Sequence, residues 1–479
     1  MPELTLEQQQ PQDCPCPNCP YKRKAAILEY EIKEMRERYW GRKKKKQDEQ
    51  EDTVISSKKR GAPKGHKGWF RKIGATIDEF VEVTLKRCPR CKGKNITPCK
   101  DTEDHCQQDI VLPGLKTTCF RHYSYWCADC KEVVEGQRPP EELPKSYIGP
   151  TAKALAVWLK YDVKVSDRDL SRVFETLFHL KIVSSSVTGF RSQLVRHSIN
   201  VYGQIQKALK GSSYVHSDET GWRIGRESAW LWSLSTKKLS FFHVDKSRRL
   251  KVLQGLLGER FKGTLIVDFL RVYNRYKAKS IQRCLVHLLR EIKKMLKIWG
   301  DDPFIKRYLE NLKAWVHQAK DLAKQYRGRK ITKKEFKKRK TDLESDLKDF
   351  EFTTAQKKPL VRIRNRLLMH KKELLTFLDH PQVDSDNNHA ERQIRPNVLL
   401  RKITFGNDSD RGARNHSIFM SIIQTAKQNG RSPPEVLRKI LLTRGKKQTL
   451  GLLGVGGGGR GCQRKRSGLR RVRKFTSLG

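Results

Sequence analysis

The chain has 479 residues, of which 101 are Lys or Arg and 52 are Asp or Glu, giving a formal net charge of +49. At ~150 residues per domain, this length predicts about three structural units. No apolar run approaches the ~18 residues that a membrane span needs, and the first thirty residues lack the apolar core of a signal peptide. We therefore exclude membrane and secreted classes of protein.

The excess of positive charge is larger than solubility requires, because a net charge of ~2–8 keeps a small domain soluble. Basic side chains displace counterions from phosphate backbones and dominate non-specific affinity for nucleic acid. The composition therefore predicts a nucleic-acid partner. In a chain without a predicted secretion signal, the twelve cysteines favour reduced thiols or metal ligands over disulfides.

Residues 1–60 are predicted to form an N-terminal helical and basic arm. Apolar side chains three and four residues apart between residues 24 and 39 predict an amphipathic helix, which is short for a stable coiled coil. Cys14, Cys16 and Cys19 precede it without an obvious fourth ligand. We interpret these three cysteines as incidental thiols rather than as a metal site.

Residues 61–140 are predicted to contain a basic linker and a zinc-finger-like domain. The stretch Gly61–Gly68 favours neither helix nor strand and predicts a linker that lies along a phosphate backbone. Two C-x-x-C pairs follow, and four thiolates suit tetrahedral Zn²⁺, although the intervening segment exceeds the usual ~15–20 residues. The predicted zinc ligands are Cys88, Cys91, Cys127 and Cys130, with Cys99, Cys106 and Cys119 as substitutes.

Residues 150–205 are predicted to form a helical DNA-binding region. Leu170–Phe178 and Ser185–Val195, joined by a turn near residues 181–184, are typical of a helix-turn-helix unit, whose second helix can enter a major groove. Helical hairpins of this size are also common as plain packing elements. The sequence leaves both interpretations open.

Residues 210–435 are predicted to form an α/β core with a mixed sheet and flanking helices. Runs at Tyr214–Asp218, Ala229–Thr236 and Leu239–Val244 predict a three-stranded meander, which a helix at Arg249–Leu257 links to a strand at Gly263–Asp268. Charged helical sequence at about residues 290–380 predicts an insertion into this core. Residues 449–479, rich in Gly and Arg and without acids, are predicted to be disordered.

Three acidic residues of this core are the candidate catalytic and metal-binding groups. Asp218 and Asp268 each close a predicted strand, at the sheet edge where α/β folds bind substrates, and Glu391 lies on a helix that Asn387 or Asn388 would cap. Hard cations prefer oxygen ligands, and two of them can stabilise both the entering and leaving oxygens of a phosphoryl transfer. The pattern therefore predicts a site for two Mg²⁺ ions, or Mn²⁺ in their place.

The motif Cys284-Leu-Val-His287 follows the second acidic strand. Two ligands cannot form a zinc site by themselves, so a separate metal site is not expected here. Two interpretations remain: a supporting role near the active centre, or a core cysteine beside a histidine with satisfied hydrogen bonds.

From about Lys58 to Pro434 the chain resembles the DDE transposases of the insertion-sequence sixty-six family. The similarity is most specific at Asp218–Trp222, Arg283–His287 and Asp386–Pro396. The resemblance implies an RNase H-like catalytic core that is split by a helical insertion and preceded by a zinc-finger-like domain and helical N-terminal regions.

The same resemblance assigns the metal-binding triad to Asp218, Asp268 and Glu391, with Asp384 and Asp386 as alternates for Glu391. Family members often have Gly-Tyr after the second acid, where this chain has Phe269 and Leu270. The implied reaction is DNA strand cleavage followed by strand transfer, with two metal ions at the site. Phosphates of the cut strand would be held by four cationic residues, Arg392, Arg395, Arg401 and Lys402.

The implied partners are double-stranded DNA, as terminal repeats and as target, further copies of the chain, and accessory proteins of the mobile element. The zinc-finger-like domain and the helix pair would recognise the terminal repeats. We expect a prokaryotic, cytoplasmic protein that associates with the nucleoid and not with a membrane. Two alternatives remain: a catalytically inactive zinc-containing DNA-binding regulator, and an RNase H-like nuclease that cuts without joining.

Overall fold

The structure, a computed structural model, describes residues 77–111, 114–352, 358–443 and 450–455. The predicted N-terminal arm with its three cysteines, the basic linker and most of the Gly/Arg-rich tail lie outside the described residues. The chain divides into two structural units. We call the described parts the middle unit (residues 260–388) and the flanking unit (residues 77–259 and 389–455).

A four-stranded sheet begins the flanking unit. Its strands are β1 (Glu79–Val83), β2 (Ile96–Val111), β3 (Gly114–Cys127) and β4 (Glu132–Glu135). Strand β3 is central, parallel to β1 and antiparallel to β2 and β4. The register of β2 against β3 is irregular between Pro98 and Thr102, where proline cannot donate a ladder hydrogen bond. The β2–β3 hairpin occupies most of the long segment between the two C-x-x-C pairs.

Three helices follow this sheet in the flanking unit. They are α1 (Pro150–Trp158), which continues into a π-helical turn at Leu159–Val163, α2 (Asp167–Phe178) and α3 (Ser184–Lys210). Ser166 caps α2 by accepting a hydrogen bond from the Asp169 N–H. Leu170, Phe174 and Phe178, four residues apart, pack from α2 into a buried cluster with the first turns of α3. A helical hairpin therefore lies where the sequence predicts one, but its second helix continues to Lys210 instead of ending near residue 195.

The next part of the flanking unit is an antiparallel meander. Its elements are β5 (Tyr214–Ile224), β6 (Glu227–Ser235), β7 (Ser240–Asp245) and helix α4 (Leu250–Leu257). Asp218 lies within β5, so the prediction that it closes the strand is wrong. The residue with a left-handed backbone at the end of β5 is Gly225, at a φ of 56°. The chain therefore turns at Gly225, and β5 pairs with β6 through residue 224.

Three longer helices complete the flanking unit. They are α10 (Asn388–Thr404), which begins at the last residue of the middle unit, α11 (Asp410–Gln428) and α12 (Pro433–Leu442). Helix α11 covers the edge of β7 with a row of hydroxyl groups. Ser417, Ser421 and Thr425 accept hydrogen bonds of 2.8–3.1 Å from the N–H groups of Val244, Phe242 and Ser240.

The hydroxyl groups of α11 meet the N–H groups of β7 because their spacings along the helix and along the strand are nearly equal. Four residues of a helix rise ~6 Å, and two residues of a strand span ~6.7 Å, so every second N–H of β7 meets a hydroxyl. The N–H groups of Ser240 and Phe242 are buried and that of Val244 is partly buried, and without these acceptors they would form an unpaired sheet edge.

The middle unit contains two parallel strands and the helices of the predicted insertion. Its strands are β8 (Arg260–Val267) and β9 (Lys277–Arg283), separated by a 3₁₀ turn at Arg271–Arg275. Its helices are α5 (Leu285–Trp299), α6 (Pro303–Arg327), α7 (Lys333–Phe352), α8 (Lys358–Leu374) and α9 (Thr376–Asp379). Among the residues described, no helix has both the length and the apolar character needed to cross a bilayer.

Candidate functional site

The first candidate acid, Asp218, has a half-buried side chain on β5, where its backbone is paired with Ser233 of β6. Its Oδ1 accepts a hydrogen bond of 2.9 Å from the Glu219 N–H. Successive strand residues face opposite sides of a sheet, and the Glu219 carboxylate is 2.5 Å from an Arg248 nitrogen. The two neighbouring carboxylates therefore differ: Glu219 belongs to an ion pair, and Asp218 lies on the opposite face with one oxygen oriented by the backbone.

Hydrogen bonds link the segment Asp218–Trp222 to α10 and to the loop between α10 and α11. The Trp222 indole N–H donates to Asn407 Oδ1 at 2.9 Å. Arg401 donates to Thr220 Oγ1 at 3.2 Å and to the Gly221 carbonyl. Arg401, one of the four predicted phosphate-binding cations, is therefore half-buried and already bonded to β5.

The second candidate acid, Asp268, directly follows β8, as the sequence predicts. Its Oδ1 accepts a hydrogen bond of 2.9 Å from the Leu270 N–H. Its carbonyl oxygen accepts another of 2.9 Å from Arg283 Nη1. Both the carboxylate and the backbone of Asp268 are therefore held within the middle unit.

Arg283 is the centre of a buried network that the sequence analysis missed. Its side chain is fully buried, and it donates to Glu373 at 2.6 Å and to Asn274 Oδ1 at 2.8 Å as well as to Asp268. His370 Nδ1 lies 2.8 Å from the same Glu373 oxygen. Burial acts to raise the pKa of Glu373, but the hydrogen bond with His370 and the charge of Arg283 outweigh it and hold that pKa below its usual value. The buried guanidinium is thus paired with an ionised carboxylate.

Helix α8 also packs against the residue after Asp268. The Phe269 ring lies edge-on to the His370 ring, with 5.6 Å between centroids, and the Arg366 guanidinium stands 4.6 Å from the Phe269 centroid. Arg366, His370 and Glu373 are spaced by four and three residues, which places them on one helix face. The aromatic residue at position 269 therefore packs against α8 through both Arg366 and His370.

Cys284 is a buried hydrogen-bonding residue at the start of α5. Its Sγ accepts a hydrogen bond of 3.1 Å from the Asn387 N–H, and the Leu285 N–H donates to the Ser385 carbonyl at 3.0 Å. Burial raises the pKa of the Cys284 thiol to about 11, so it is neutral at physiological pH. Cys284 thus anchors the segment that precedes α10. The His287 N–H donates to the Cys284 carbonyl, and a role of either residue in catalysis stays a prediction.

The third candidate acid, Glu391, is half-buried in the first turn of α10. At the start of this helix the Asn388 N–H donates to Asp386 Oδ1 at 3.2 Å, and the N–H of the buried Asn387 donates to Cys284 Sγ. The cap by Asn387 or Asn388 stays a prediction. Asp386 also lies 3.6 Å from Lys320. The carboxylate of Asp386, one of the two alternates for Glu391, therefore accepts a backbone hydrogen bond and belongs to an ion pair.

The remaining predicted phosphate ligands of α10, Arg392, Arg395 and Lys402, are exposed. Of the three acids, Asp218 and Glu391 belong to the flanking unit and Asp268 to the middle unit. The convergence of their carboxylates at one metal site stays a prediction.

The four predicted zinc ligands do come together in the structure. The sulfur atoms of Cys88, Cys91, Cys127 and Cys130 all lie within 4.8 Å of one another. The Cys91 backbone N–H is the main influence that lowers the pKa of Cys88, to about 6, which favours the thiolate that a metal requires. Four sulfurs so close together fit a tetrahedral Zn²⁺ site.

Backbone hydrogen bonds form the local turn that contains Cys88 and Cys91. The Cys88 N–H donates to the Gly93 carbonyl, and the Lys92 N–H donates to the Cys88 carbonyl. A Cβ at Gly93 would meet the exposed Asp129 carboxylate, so the two knuckles approach each other closely at this residue. Of the predicted substitutes, Cys106 and Cys119 lie apart from this cluster, with their sulfurs 3.0 Å from each other across β2 and β3.

In a comparison with protein families, residues 145–415 match the model described as Transposase IS66 family. This segment contains Asp218, Asp268 and Glu391, and the four-cysteine cluster precedes it. No curated protein matches the chain. The matched segment covers more than half of the 479 residues and confirms the family predicted from the sequence motifs. The chain belongs to the IS66 family of transposases.

Proposed function

We propose that this chain is a DDE transposase that cleaves DNA at the ends of its mobile element and joins the cut ends to target DNA. The observation that carries the proposal is the placement of the three acids. All lie in the family segment, each at a rigid backbone position: within β5, directly after β8 and in the first turn of α10. We also propose that the core is RNase H-like, with α5–α9 as its helical insertion.

Asp218, Asp268 and Glu391 would hold two Mg²⁺ ions, or Mn²⁺. Carboxylate oxygens are the ligands that these hard cations prefer, and backbone N–H groups already orient one oxygen each of Asp218 and Asp268. When bound, the ions would activate a water or a DNA 3′-hydroxyl and stabilise the leaving oxygen. Arg283, through the Asp268 carbonyl, would keep the second acid in place during the reaction.

The flanking unit would recognise the terminal repeats. Zn²⁺ held by Cys88, Cys91, Cys127 and Cys130 would have a structural role, because four thiolates leave no open position for catalysis. The first turns of α3 expose small polar residues, including Ser184, Ser185 and Thr188. Such a surface suits entry of this helix end into a major groove.

The working form would be a multimer on DNA, because two element ends must be brought together before transfer. Accessory proteins of the element would join this assembly. The proposed place of action is the nucleoid in the prokaryotic cytoplasm, and the net charge of +49 suits a protein that stays on DNA there.

The proposal is tested with full-length protein, terminal-repeat DNA, a target plasmid and Mg²⁺. Wild type should nick the repeat ends and join them to the target. Asp218→Asn should lose both products and retain affinity for the repeats, whereas Asp342→Asn, at an exposed site on α7, should behave as wild type.

Two results would overturn the proposal. Cut ends that are never joined would identify a nuclease without strand transfer. Binding of the repeats by wild type, with neither cutting nor joining under any divalent cation, would identify a DNA-binding regulator.

A further inference from the structure

The outer face of α10 carries an exposed stripe that mixes cationic and apolar side chains. At 3.6 residues per turn, five of its residues fall within an arc of roughly 100°. These residues are Arg392, Arg395, Leu399, Lys402 and Ile403, all of them exposed. Leu399 is 41% exposed and Ile403 is 51% exposed, although a surface helix normally turns its apolar side chains toward the core.

The stripe ends at Phe405, the most exposed large apolar side chain in the part of the chain that the structure describes, at 77%. Its φ is 56°, in the left-handed region that costs a residue with a Cβ roughly 1–2 kcal/mol. Strained backbone of this kind persists where surrounding structure holds it, commonly at ligand sites.

The backbone around Phe405 is held on two sides. The Phe405 N–H donates to the Arg401 carbonyl at 2.7 Å. Gly406 has a φ of 117°, and a Cβ there would collide with the Arg223 carbonyl. Asn407 exchanges backbone hydrogen bonds with the β5–β6 hairpin, donating to Arg223 and accepting from Gly225. The Phe405 ring is therefore presented outward from a fixed backbone and is not a frayed helix end.

The charges beside Phe405 indicate what the exposed ring contacts. Lys402 precedes it by one helical turn, and Arg223, whose carbonyl faces Gly406, is exposed, while Asp408 is the exposed acid nearest in sequence. The side chains of the stripe include three cations and no acid, so its charge is complementary to a polyanion. Single-stranded nucleic acid matches it, because cations bind phosphates and an aromatic ring stacks on an unpaired base.

We propose that the α10 stripe, defined as the five residues above together with Phe405, binds unpaired nucleotides of the DNA substrate. Phe405 stacks on one base, Leu399 and Ile403 cover neighbouring bases, and Arg392, Arg395 and Lys402 bind the flanking phosphates. Bases within an intact duplex are stacked on each other and offer no face to these side chains. This inference rests on the proposed function, and it specifies that the DNA strand next to Glu391 is unpaired.

The test measures binding by full-length protein at one salt concentration, without added Mg²⁺ and without chelator. One probe is a blunt duplex, and the other is the same duplex with a single-stranded tail that contains 2-aminopurine. Phe405→Ala should weaken binding of the tailed probe by about 5- to 100-fold, as expected for the loss of one stacked base, and change blunt-duplex binding by less than about twofold. Quenching of 2-aminopurine should fall in Phe405→Ala and return in Phe405→Trp. Phe304→Ala, at a 37% exposed aromatic site on α6, should change neither probe.

Three outcomes would overturn the proposal. One is equal affinity of Phe405→Ala and wild type for the tailed probe. Another is an equal loss of affinity for both probes. A third is a wild-type dimer in light scattering that Phe405→Ala converts to monomer, which would assign the stripe to contact between copies of the chain. Because the assay contains no added Mg²⁺, this proposal and the proposed strand cleavage can fail independently.

Discussion

The four-cysteine cluster and the Asp268 anchor are built in opposite ways. Each C-x-x-C pair is a local backbone turn, and one hairpin brings the two pairs together. Asp268 instead depends on Arg283, whose partner Glu373 lies 90 residues further along the chain. A site made of short spacings can be recognised in the sequence, whereas one held by distant partners becomes visible only in the fold. The two sites should therefore fail differently when they are perturbed.

Loss of Zn²⁺ should have the largest effect on stability, and this effect should be confined to the four-stranded sheet β1–β4. Structural zinc contributes roughly 10–16 kcal/mol to folding of small zinc-finger peptides, so Cys88→Ser should expose the β2–β3 hairpin. We expect about one Zn²⁺ per wild-type chain by elemental analysis, and its loss with rapid proteolysis of the hairpin in Cys88→Ser. Cys106→Ser is the matched control in the same hairpin and should retain the metal. Retention of zinc by Cys88→Ser would contradict the four-cysteine site.

Removal of the Glu373 charge should have the next largest effect, in the middle unit. Breaking a buried ion pair costs roughly 3–5 kcal/mol, and because Glu373 is partly exposed we expect Glu373→Gln to lower the free energy of unfolding by about 3 kcal/mol. Glu310→Gln, which removes an exposed ion pair with Lys313, should cost less than about 1 kcal/mol. Urea denaturation followed by tryptophan fluorescence measures both, and equal effects would show that the Arg283 network does not stabilise the fold.

The hydroxyl row on α11 also joins residues that are far apart in the sequence. Removal of one hydroxyl group there should lower the free energy of unfolding moderately. Ser421→Ala leaves the buried Phe242 N–H without its acceptor, which costs about 1–3 kcal/mol. Ser421→Thr retains the hydroxyl and should lose less stability. Hydrogen exchange at Phe242 should speed up in Ser421→Ala alone, and unchanged exchange would mean that this N–H finds another partner.

The pH dependence of the free energy of unfolding should show the smallest effect, and it tests whether Glu373 is ionised in the folded chain. Because its pKa is lower in the folded chain, Glu373 contributes stability that is present above its unfolded pKa of ~4.3 and is lost as the pH falls through the lower folded value. Wild type should therefore lose stability more steeply below about pH 4.3 than Glu373→Gln. Parallel slopes for the two proteins would show that Glu373 is not held ionised.

Features with short spacings were predictable from the sequence. The paired cysteines, the acid that follows β8 and the helical hairpin at α2 and α3 lie where periodicity or motif spacing placed them. The prediction that a strand ends at Asp218 failed, because pairing with β6 extends β5 through residue 224.

The Arg283 network and the exposed Phe405 could not be predicted from spacing. Arg283 stood in a recognised motif, but nothing local identifies Glu373 or His370 as its partners. Phe405 looks like an ordinary core residue until its backbone conformation and exposure are known.

The most direct test of the central claim is calorimetric titration of Mn²⁺ into the zinc-loaded full-length protein with terminal-repeat DNA present. The account predicts that Asp218→Asn, Asp268→Asn and Glu391→Gln each abolish the same tight binding, while Asp384→Asn leaves it intact. Tight Mn²⁺ binding that survives any of the first three substitutions, or that is lost in Asp384→Asn, would contradict a metal site formed by Asp218, Asp268 and Glu391.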